Sequence, residues 1–241
     1  MVSRLPGPLR RGVWRARRAA SRARRRRLEA RGDWSLSRPA LHGMDERLEP
    51  HLGDRPGFFV EAGANDGYEQ SNTYSLERIH GWQGVLIEPI PELARAAMRE
   101  RPRSRIFNCA LTDAESPGAT VRLLYGGLMT VVAGGRSDDA EWVDDAHALP
   151  QEQRRHEFEV PARTLSSVLD EAGVPEVDLL SLDVEGYEPT VLRGLDFDRH
   201  GPRLLLVEAR DESARTAIEA VIPDQYRLVE RVSAFDLLYG R

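Results

Sequence analysis

Short apolar runs alternate with helical stretches from about residue 54 onward, and this alternation constrains the fold more than any other feature of the chain. Apolar runs predict strands over residues 58–62, 84–88, 104–111, 177–183 and 203–209. Helical patterns lie between or after them, over residues 72–80, 91–101, 163–172, 188–194 and 212–221. Strands that are separated by helices pair in parallel, so the pattern predicts an α/β fold with helices on both faces of the sheet.

The last two apolar runs, 226–232 and 235–239, are separated by only two residues. Such a short connection predicts an antiparallel hairpin that closes the otherwise parallel sheet. Residues 125–157 are less regular, with paired glycines followed by a run of acids. A loop of this length indicates either a substrate lid or a surface insertion.

Charge divides the 241-residue chain into two parts. It contains no lysine, and residues 1–31 hold twelve of the 34 arginines against a single acid, Glu29, for a formal charge of +11. The remainder has 22 arginines and 38 acids, or −16. We therefore predict an Arg-rich N-terminal tail and linker at 1–53, largely disordered or helical, and one globular domain at 54–241. The tail could contact anionic surfaces, or it could be a solvated extension.

Cysteine content and hydropathy exclude several classes of protein. The lone Cys109 rules out an intramolecular disulfide and a Cys-rich zinc site, so a cytoplasmic location is expected. No apolar run approaches the ~20 residues of a transmembrane helix, and no secretory signal follows the basic N-terminus.

Candidate ligand-binding residues follow the predicted strands, because ligands of open α/β sheets bind at the carboxyl ends of the strands. The first turn has the spacing E-x-G-x-x-x-G, through Glu61, Gly63 and Gly67, instead of the G-x-G-x-x-G of dinucleotide-binding folds. An acid at this position suits a ligand with a cationic amino-acid part. Glu88, after the second strand, could accept hydrogen bonds from both hydroxyls of a ribose. Together these features indicate S-adenosylmethionine.

Five segments in the same order resemble the FkbM-type methyltransferases. They are VEAGANDGYEQSNTYSLE from Val60, GWQGVLIEPIPE from Gly81, NCALTD from Asn108, RTLSSVL from Arg163, and DLLSLDVEGYEPTVLRGLDF from Asp178. The resemblance covers residues 54–241 and implies a class I, Rossmann-like methyltransferase fold in three layers, with a mostly parallel seven-stranded sheet. It also implies methylation of an oxygen on a sugar, polysaccharide or natural product. One departure is the stretch LMTVV at 128–132, where relatives tend to have a serine-containing segment.

The resemblance also implies roles for individual residues. Glu61, Gly63 and Asn65 would hold the methionine part of the cofactor, Glu88 the ribose, and Asn108 and Ala110 would border the adenine. Asp183 would lie beside the reacting centre. The predicted cofactor-binding set is completed by Asp66, Gly67, Ser71 and Pro89.

Methyl transfer to a hydroxyl requires a group that takes up the hydroxyl proton. Asp183 and Glu185 are the candidates, either as general base or as ligands of a divalent cation such as Mg²⁺ that lowers the pKa of the hydroxyl. In other interpretations Glu185 caps the following helix, His156 is the base, or Ser71 and Asn72 are helix N-caps rather than cofactor contacts.

Two other functions remain as alternatives to a small-molecule or saccharide O-methyltransferase. One is a degenerate module of the same fold that binds without catalysis. The other is a nucleic-acid methyltransferase that uses the arginine tail, although the domain is acidic and lacks an N/D-P-P-Y/F block.

Overall fold

The helices and strands of the computed structural model follow the predicted alternation. It describes residues 7–114, 118–125, 130–133, 157–174 and 176–241. The helices are α1 (Gly7–Glu29), α2 (Met44–Leu52, after a 3-10 helix at Leu41–Gly43), α3 (Tyr74–Arg78), α4 (Pro91–Glu100), α5 (Leu165–Ala172), α6 (Glu188–Arg193), α7 (Phe197–His200) and α8 (Glu212–Glu219). The strands are β1 (Phe58–Ala62), β2 (Gln83–Ile87), β3 (Ser104–Phe107), β4 (Ala110–Thr112), β5 (Thr120–Leu124), β6 (Val131–Val132), β7 (Glu157–Thr164), β8 (Leu179–Leu182), β9 (Leu204–Glu208), β10 (Arg227–Arg231) and β11 (Asp236–Gly240).

The main sheet has seven strands in the order β10-β11-β9-β8-β1-β2-β3. Strands β9, β8, β1, β2 and β3 are parallel neighbours, and β11 pairs antiparallel with both β9 and β10. The mostly parallel sheet and its antiparallel C-terminal hairpin are therefore confirmed. Strand order reverses beside β1, where the chain leaves one half of the sheet for the other, and this is where α/β folds place ligands.

Alternate strand residues pack into two separate apolar cores, one on each face of the sheet. Phe59, Leu86 and Leu179 point to the face covered by α2, α3 and α4. Their neighbours Val60, Val85 and Leu180 point to the face covered by α5, α6 and α8. This alternation follows from the two-residue period of a strand. The three-layer architecture predicted from the sequence is confirmed.

The predicted third strand, 104–111, is in fact two strands in two different sheets. Strand β3 ends at Phe107, and β4 belongs to a smaller sheet of order β4-β7-β5-β6. The side chain of Asn108 causes the separation, because its Nδ2 donates to the carbonyl oxygens of Glu88 and Pro89 at 2.9 and 2.8 Å. These bonds replace the next rung of the β2–β3 ladder, and the chain turns away.

Two predicted helix boundaries also differ from the structure. Arg163 lies in β7, and the helix begins only at Leu165, since extended Thr164 is its N-cap and accepts a hydrogen bond from Ser167 N–H. The first helix of the domain begins at Tyr74 rather than at residue 72, with Thr73 as N-cap and no side-chain capping bond. The interpretation of Ser71 and Asn72 as N-caps is therefore wrong.

Helix α1 carries the arginine-rich segment and packs against the domain through one of its faces. Arg25 and Glu29 are buried there, against Tyr74 of α3. Helix α2 contributes Met44, Leu48 and Leu52 to an apolar core of the sheet, so packing extends N-terminal to the predicted boundary at residue 54. Among the residues described, no helix combines the length and the apolar character required to cross a membrane.

Candidate functional site

Most of the predicted site residues line a single cleft at the carboxyl ends of β1, β2 and β8. Those that do are Glu61, Gly63, Asn65, Ser71, Glu88, Pro89, Ala110, Asp183 and Glu185. They come from segments far apart in sequence, and the parallel strands bring them to the same edge of the sheet. The cleft thus lies at the position that the strand-end argument predicts.

Three other predicted residues do not line this cleft but hold its loops in place. Asp66 Oδ1 accepts hydrogen bonds from the N–H groups of Tyr68 and Glu69, and its other oxygen pairs with Arg18 of α1 at 3.0 Å. Gly67 has a φ of +80°, and its carbonyl accepts from Arg101. Asn108 holds the turn after β2 through the two bonds described above.

Glu88 lies at the floor of the cleft with both carboxylate oxygens directed at backbone donors. Asn65 N–H donates to Oε2 and Ile90 N–H donates to Oε1, both at 2.8 Å. Burial raises the pKa of Glu88 to about 8, even though both hydrogen bonds act in the opposite direction. The carboxyl group therefore joins the turn after β1 to the turn after β2.

Glu61 is saturated by donors of its own protein. Ser71 Oγ donates to both oxygens at 3.0 and 2.9 Å, Thr73 Oγ1 at 2.8 Å, and the backbone N–H of Asn72 at 2.8 Å. The guanidinium of Arg101 approaches the same carboxylate at 3.4 Å. Glu61 thus anchors the loop 71–73 against the end of β1.

Arg101 is fully buried beneath this loop, and nothing in the sequence singles it out. Its guanidinium also donates to Glu77 at 3.0 Å and to the carbonyl and hydroxyl oxygens of Thr73 at 3.1 and 2.9 Å. The residue follows the last turn of α4, where an arginine usually faces solvent. Its contribution depends on tertiary packing and could not be found from local pattern.

Gly63 permits a close approach between the first turn and the end of β8. Its φ of +82° lies in the left-handed region, and a Cβ there would meet the carbonyl oxygen of Asp183 at 1.9 Å. Any other residue would push β1 and β8 apart at the cleft. The glycine at this position is therefore required by the site geometry.

Asp183 lies just beyond Gly63, with its side chain exposed to the cleft and protein around its other sides. Burial raises its pKa well above the usual range, and the negative charges of Glu208 and Glu185 act in the same direction. A carboxylate of raised pKa is a stronger base than an ordinary aspartate. Its position and its environment fit a group that removes a proton.

Glu185 lines the cleft, but its carboxylate is paired with a cation. Arg210 Nη2 donates to it at 2.8 Å, and Arg210 Nε donates to Glu208 at 2.9 Å. The N-cap of α6 is Tyr187, which makes no side-chain capping bond, and Glu188 in the first turn accepts hydrogen bonds from the N–H groups of Val184 and Gly186 in the preceding turn. The interpretation of Glu185 as the cap is wrong.

Three carboxylates in this region lie near enough to share a metal ion. Oxygens of Asp183, Glu188 and Glu208 all lie within 4.8 Å of one another. The sequence predicted Asp183 and Glu185 as the metal ligands. In the structure Asp183 belongs to the cluster, and its other two members are Glu188 and Glu208 instead of Glu185. Glu188 was missed because it follows the strand-end turn and opens α6, where an acid is explained by the helix dipole.

The remaining wall of the cleft is mostly apolar and comes largely from the small sheet. Leu123 of β5, Val132 of β6 and Cys109 line it, with Thr130 and Tyr187 as polar members. The sequence did not predict this wall, because the strands that form it were not recognised. The candidate base His156 and residues 128–129 of the LMTVV stretch lie outside the described residues.

In sequence, the chain resembles known methyltransferases. A sequence model described as Methyltransferase FkbM domain matches residues 61–225. Methyltransferase 1 of Beauveria bassiana (strain ARSEF 2860) is 31% identical over 152 residues, which cover 59% of this chain and 59% of that protein. The match thus spans well under two thirds of the relative.

Two solved methyltransferases align with the chain. The methyltransferase FkbM from Methylobacillus flagellatus KT aligns over 92% of this chain and 60% of its own, with a TM-score of 0.45 and 14% identity. A TehB-like SAM-dependent methyltransferase from Corynebacterium glutamicum ATCC 13032 Kitasato aligns over 94% and 98%, with a TM-score of 0.39 and 12% identity. The sheet order and the family match confirm the predicted class I methyltransferase fold. Because the family model spans more than half of its length, this chain belongs to the FkbM methyltransferase family.

Proposed function

We propose that the protein transfers a methyl group from S-adenosylmethionine to a hydroxyl oxygen of a sugar, polysaccharide or natural product. The observation that carries the proposal is the position of Asp183, which faces the cleft beside the Gly63 turn, opposite the turns held by Glu88. A basic carboxylate lies there in the cleft that the turns after β1 and β2 also line. Family membership supports methyl transfer, and the choice of oxygen is our inference from the carboxylate.

The residues of the cleft fit the proposed cofactor. The Glu88 carboxylate lies at the end of β2, where it can accept hydrogen bonds from two vicinal hydroxyls of a ribose. Gly63 lets the turn after β1 lie directly against the backbone of Asp183, which holds that residue beside the cleft. Pro89 and Ala110 offer small, apolar surfaces to the adenine. When bound, S-adenosylmethionine supplies a methyl group on a positively charged sulfur.

Asp183 is the proposed general base. Its carboxylate accepts the proton of the acceptor hydroxyl as the oxygen attacks, and the burial that raises its pKa makes it a stronger base than an exposed aspartate. The nearby acids favour positive charge in this part of the cleft. The rest of the rate enhancement comes from alignment, since the attacking oxygen must lie in line with the transferred methyl group.

A divalent cation is a second route to the same proton transfer. Asp183, Glu188 and Glu208 have the ligand chemistry that Mg²⁺ prefers, and their oxygens are close enough to share one ion. A bound cation would lower the pKa of the acceptor hydroxyl. Chelation separates the routes: activity lost with EDTA and restored by Mg²⁺ assigns the role to the cation, and unchanged activity assigns it to Asp183 alone.

The acceptor is proposed from the walls of the cleft. Tyr187 offers an aromatic face of the kind on which sugar rings pack, and Leu123 and Val132 supply apolar surface. For the cellular setting we propose the cytoplasm, because the lone cysteine is buried and no disulfide is required.

Binding and turnover measured separately test the proposal. Calorimetry with S-adenosylhomocysteine should show binding to the wild type and at least ~10-fold weaker binding to Glu88→Ala, which removes the two side-chain oxygens at the end of β2. Asp183→Asn should keep that affinity within about threefold and lower transfer of labelled methyl groups to a panel of monosaccharides, polysaccharides and polyols by ~100-fold or more.

Two outcomes of these measurements would contradict the proposal. Wild-type protein that binds no S-adenosylhomocysteine would indicate a degenerate module of the same fold. Methyl transfer to RNA or DNA, with none to any hydroxyl acceptor, would indicate a nucleic-acid methyltransferase.

A further inference from the structure

Arg210 is a basic side chain at the acidic end of the cleft, and the reaction proposed above gives it no role. It follows β9, whose last residue is Glu208. Its Nη2 donates to Glu185 Oε2 at 2.8 Å, and its Nε donates to Glu208 Oε2 at 2.9 Å. One guanidinium thus joins the turn after β8 to the end of β9, through the forked set of donors that a planar guanidinium offers.

The backbone of Glu185 has an uncommon conformation beside this arginine. Its φ is +57°, in the left-handed region that residues other than glycine rarely adopt. Such a conformation persists only where the surroundings hold it, and it is typical of functional sites. The side chain lines the cleft and is 14% exposed. The ion pair with Arg210 is one of the contacts that hold Glu185 in this position.

The protein itself already satisfies part of the cluster formed by Asp183, Glu188 and Glu208. Glu188 Oε1 accepts two backbone N–H groups, at 3.0 and 3.1 Å, and Glu208 accepts from Arg210. A divalent cation in the cluster would share Glu208 with the guanidinium and would lie close to its permanent positive charge. Mg²⁺ also requires a nearly ideal octahedral set of oxygens. The guanidinium therefore opposes the binding of a metal ion and supplies positive charge in its place.

We propose that Arg210 is the built-in counter-ion of these acids and a positioning residue for the proposed methyl transfer, in place of a divalent cation. The inference rests on the proposed function and deepens it, since it assigns the proton transfer to the route that uses no metal. Arg210 acts through the two acids that it holds. Glu185 stays in the wall of the cleft, and Glu208 stays beside Asp183.

Binding of Mn²⁺ alone, followed by electron paramagnetic resonance, tests the counter-ion role without turnover. Arg210→Met removes the charge and keeps much of the bulk, so it should bind Mn²⁺ at least ~10-fold more tightly than the wild type. Adding Asp183→Asn to this variant should remove the gain, which locates the ion. Arg215→Met is the matched control. Arg215 of α8 also pairs with two acids, Glu212 and Glu219, and is 29% exposed against 33% for Arg210.

Turnover tests the positioning role. Arg210→Met should keep its affinity for S-adenosylhomocysteine within about threefold and lower methyl transfer by ~10-fold or more, because the acids beside the base are no longer held in place. Wild-type activity should be unchanged by EDTA. Arg210→Lys keeps the positive charge but has no forked set of donors. It should exclude Mn²⁺ as the wild type does and still transfer methyl groups more slowly.

Several outcomes would overturn the proposal. Equal Mn²⁺ affinity in the wild type and Arg210→Met would do so, and so would an equal gain in Arg215→Met, which would reflect net charge alone. Wild-type activity that is lost with EDTA and restored by Mg²⁺ would assign the role to the metal. Should Arg210→Met fail to fold, wild-type rates in Arg210→Lys would refute the positioning role. Wild-type protein that binds no S-adenosylhomocysteine would contradict the proposed function itself, whereas the Mn²⁺ measurement judges Arg210 separately.

Discussion

The carboxyl group of Glu88 lies where solvent is excluded, and this gives it a measurable effect on stability. Burial raises its pKa to about 8 in the folded protein, against 4.5 for an ordinary glutamate. Between these two pH values the folded chain holds a proton that the unfolded chain has lost. The stabilising effect of this proton is complete below about pH 4.5 and is lost as the pH rises through 8.

Glu88→Gln should remove this pH dependence, because glutamine does not ionise. Urea unfolding of both proteins at pH 5, 7 and 9 should show that the free energy of unfolding of the variant increases relative to that of the wild type as pH rises. The total relative increase is on the order of 5 kcal/mol. If the free energies of unfolding of the two proteins differ by the same amount at all three pH values, the carboxyl group is not protonated in the folded state. Asp178→Asn, at a partly exposed carboxylate outside the cleft, is the control.

Individual site residues differed in how much the sequence revealed. The sequence identified Gly63, Asn65 and Glu88 because each follows a clearly apolar strand. Gly63 has a second signal, since only glycine fits where the first turn meets the backbone of Asp183. Arg101 and Glu188 carry no local signal, since one follows the last turn of a helix and the other opens a helix. Their roles depend on groups brought together only by tertiary folding.

At the scale of elements, a buried polar contact attaches the C-terminal part of α1 to the domain. The Arg25 guanidinium pairs with Glu100, donates to Tyr74 Oη at 2.9 Å, and lies 3.4 Å from the centroid of the Tyr68 ring. One turn later, Glu29 accepts from Tyr74 Oη at 2.9 Å and from Arg78 Nε at 3.1 Å. The helix is thus part of the folded unit that supports α3 and the loop 71–73 before it.

Substitutions on the two faces of α1 should therefore change the free energy of unfolding by very different amounts. Arg25→Ala leaves Glu100 buried without its partner and should lower the free energy of unfolding by about 3 kcal/mol. Arg24→Ala, on the exposed side of the same helix, should change it by less than about 0.5 kcal/mol. Urea unfolding of both variants measures the difference. Equal effects would show that α1 is independent of the domain.

Elements with strong local signals were predicted well, and those shaped by the second sheet were not. Strand β1 and the hairpin β10–β11 agree with the prediction because each is an apolar run bounded by turn residues. The split after Phe107 escaped the pattern, since Cys109 and Leu111 continue the apolar run while Asn108 redirects the backbone. Strand β7 was missed because Arg163 and Thr164 were attributed to the helix that follows.

At the scale of the whole molecule, the structure shows where the positive charge of the N-terminal segment lies relative to the acidic domain. Helix α1 uses one face for the domain, and Arg17, Arg24 and Arg27 are exposed on the opposite side. Their spacings of seven and three residues place them along one stripe of the helix, and exposed Arg31 follows in the turn after its end. None forms an ion pair with the residues described. This stripe faces away from a domain that is itself acidic.

We expect this stripe to bind an anionic membrane surface, because a straight row of arginines matches a plane of phosphates and no aromatic side chain interrupts it to stack on bases. Vesicles containing phosphatidylglycerol should bind the protein at ~50 mM salt and release it near 0.5 M, where screening is short-ranged. The variant Arg17→Gln, Arg24→Gln, Arg27→Gln, Arg31→Gln should lose this binding without loss of stability, since the docking face of α1 is untouched. Equal binding of wild type and variant, or binding to RNA but not to vesicles at the same salt, would contradict the expectation.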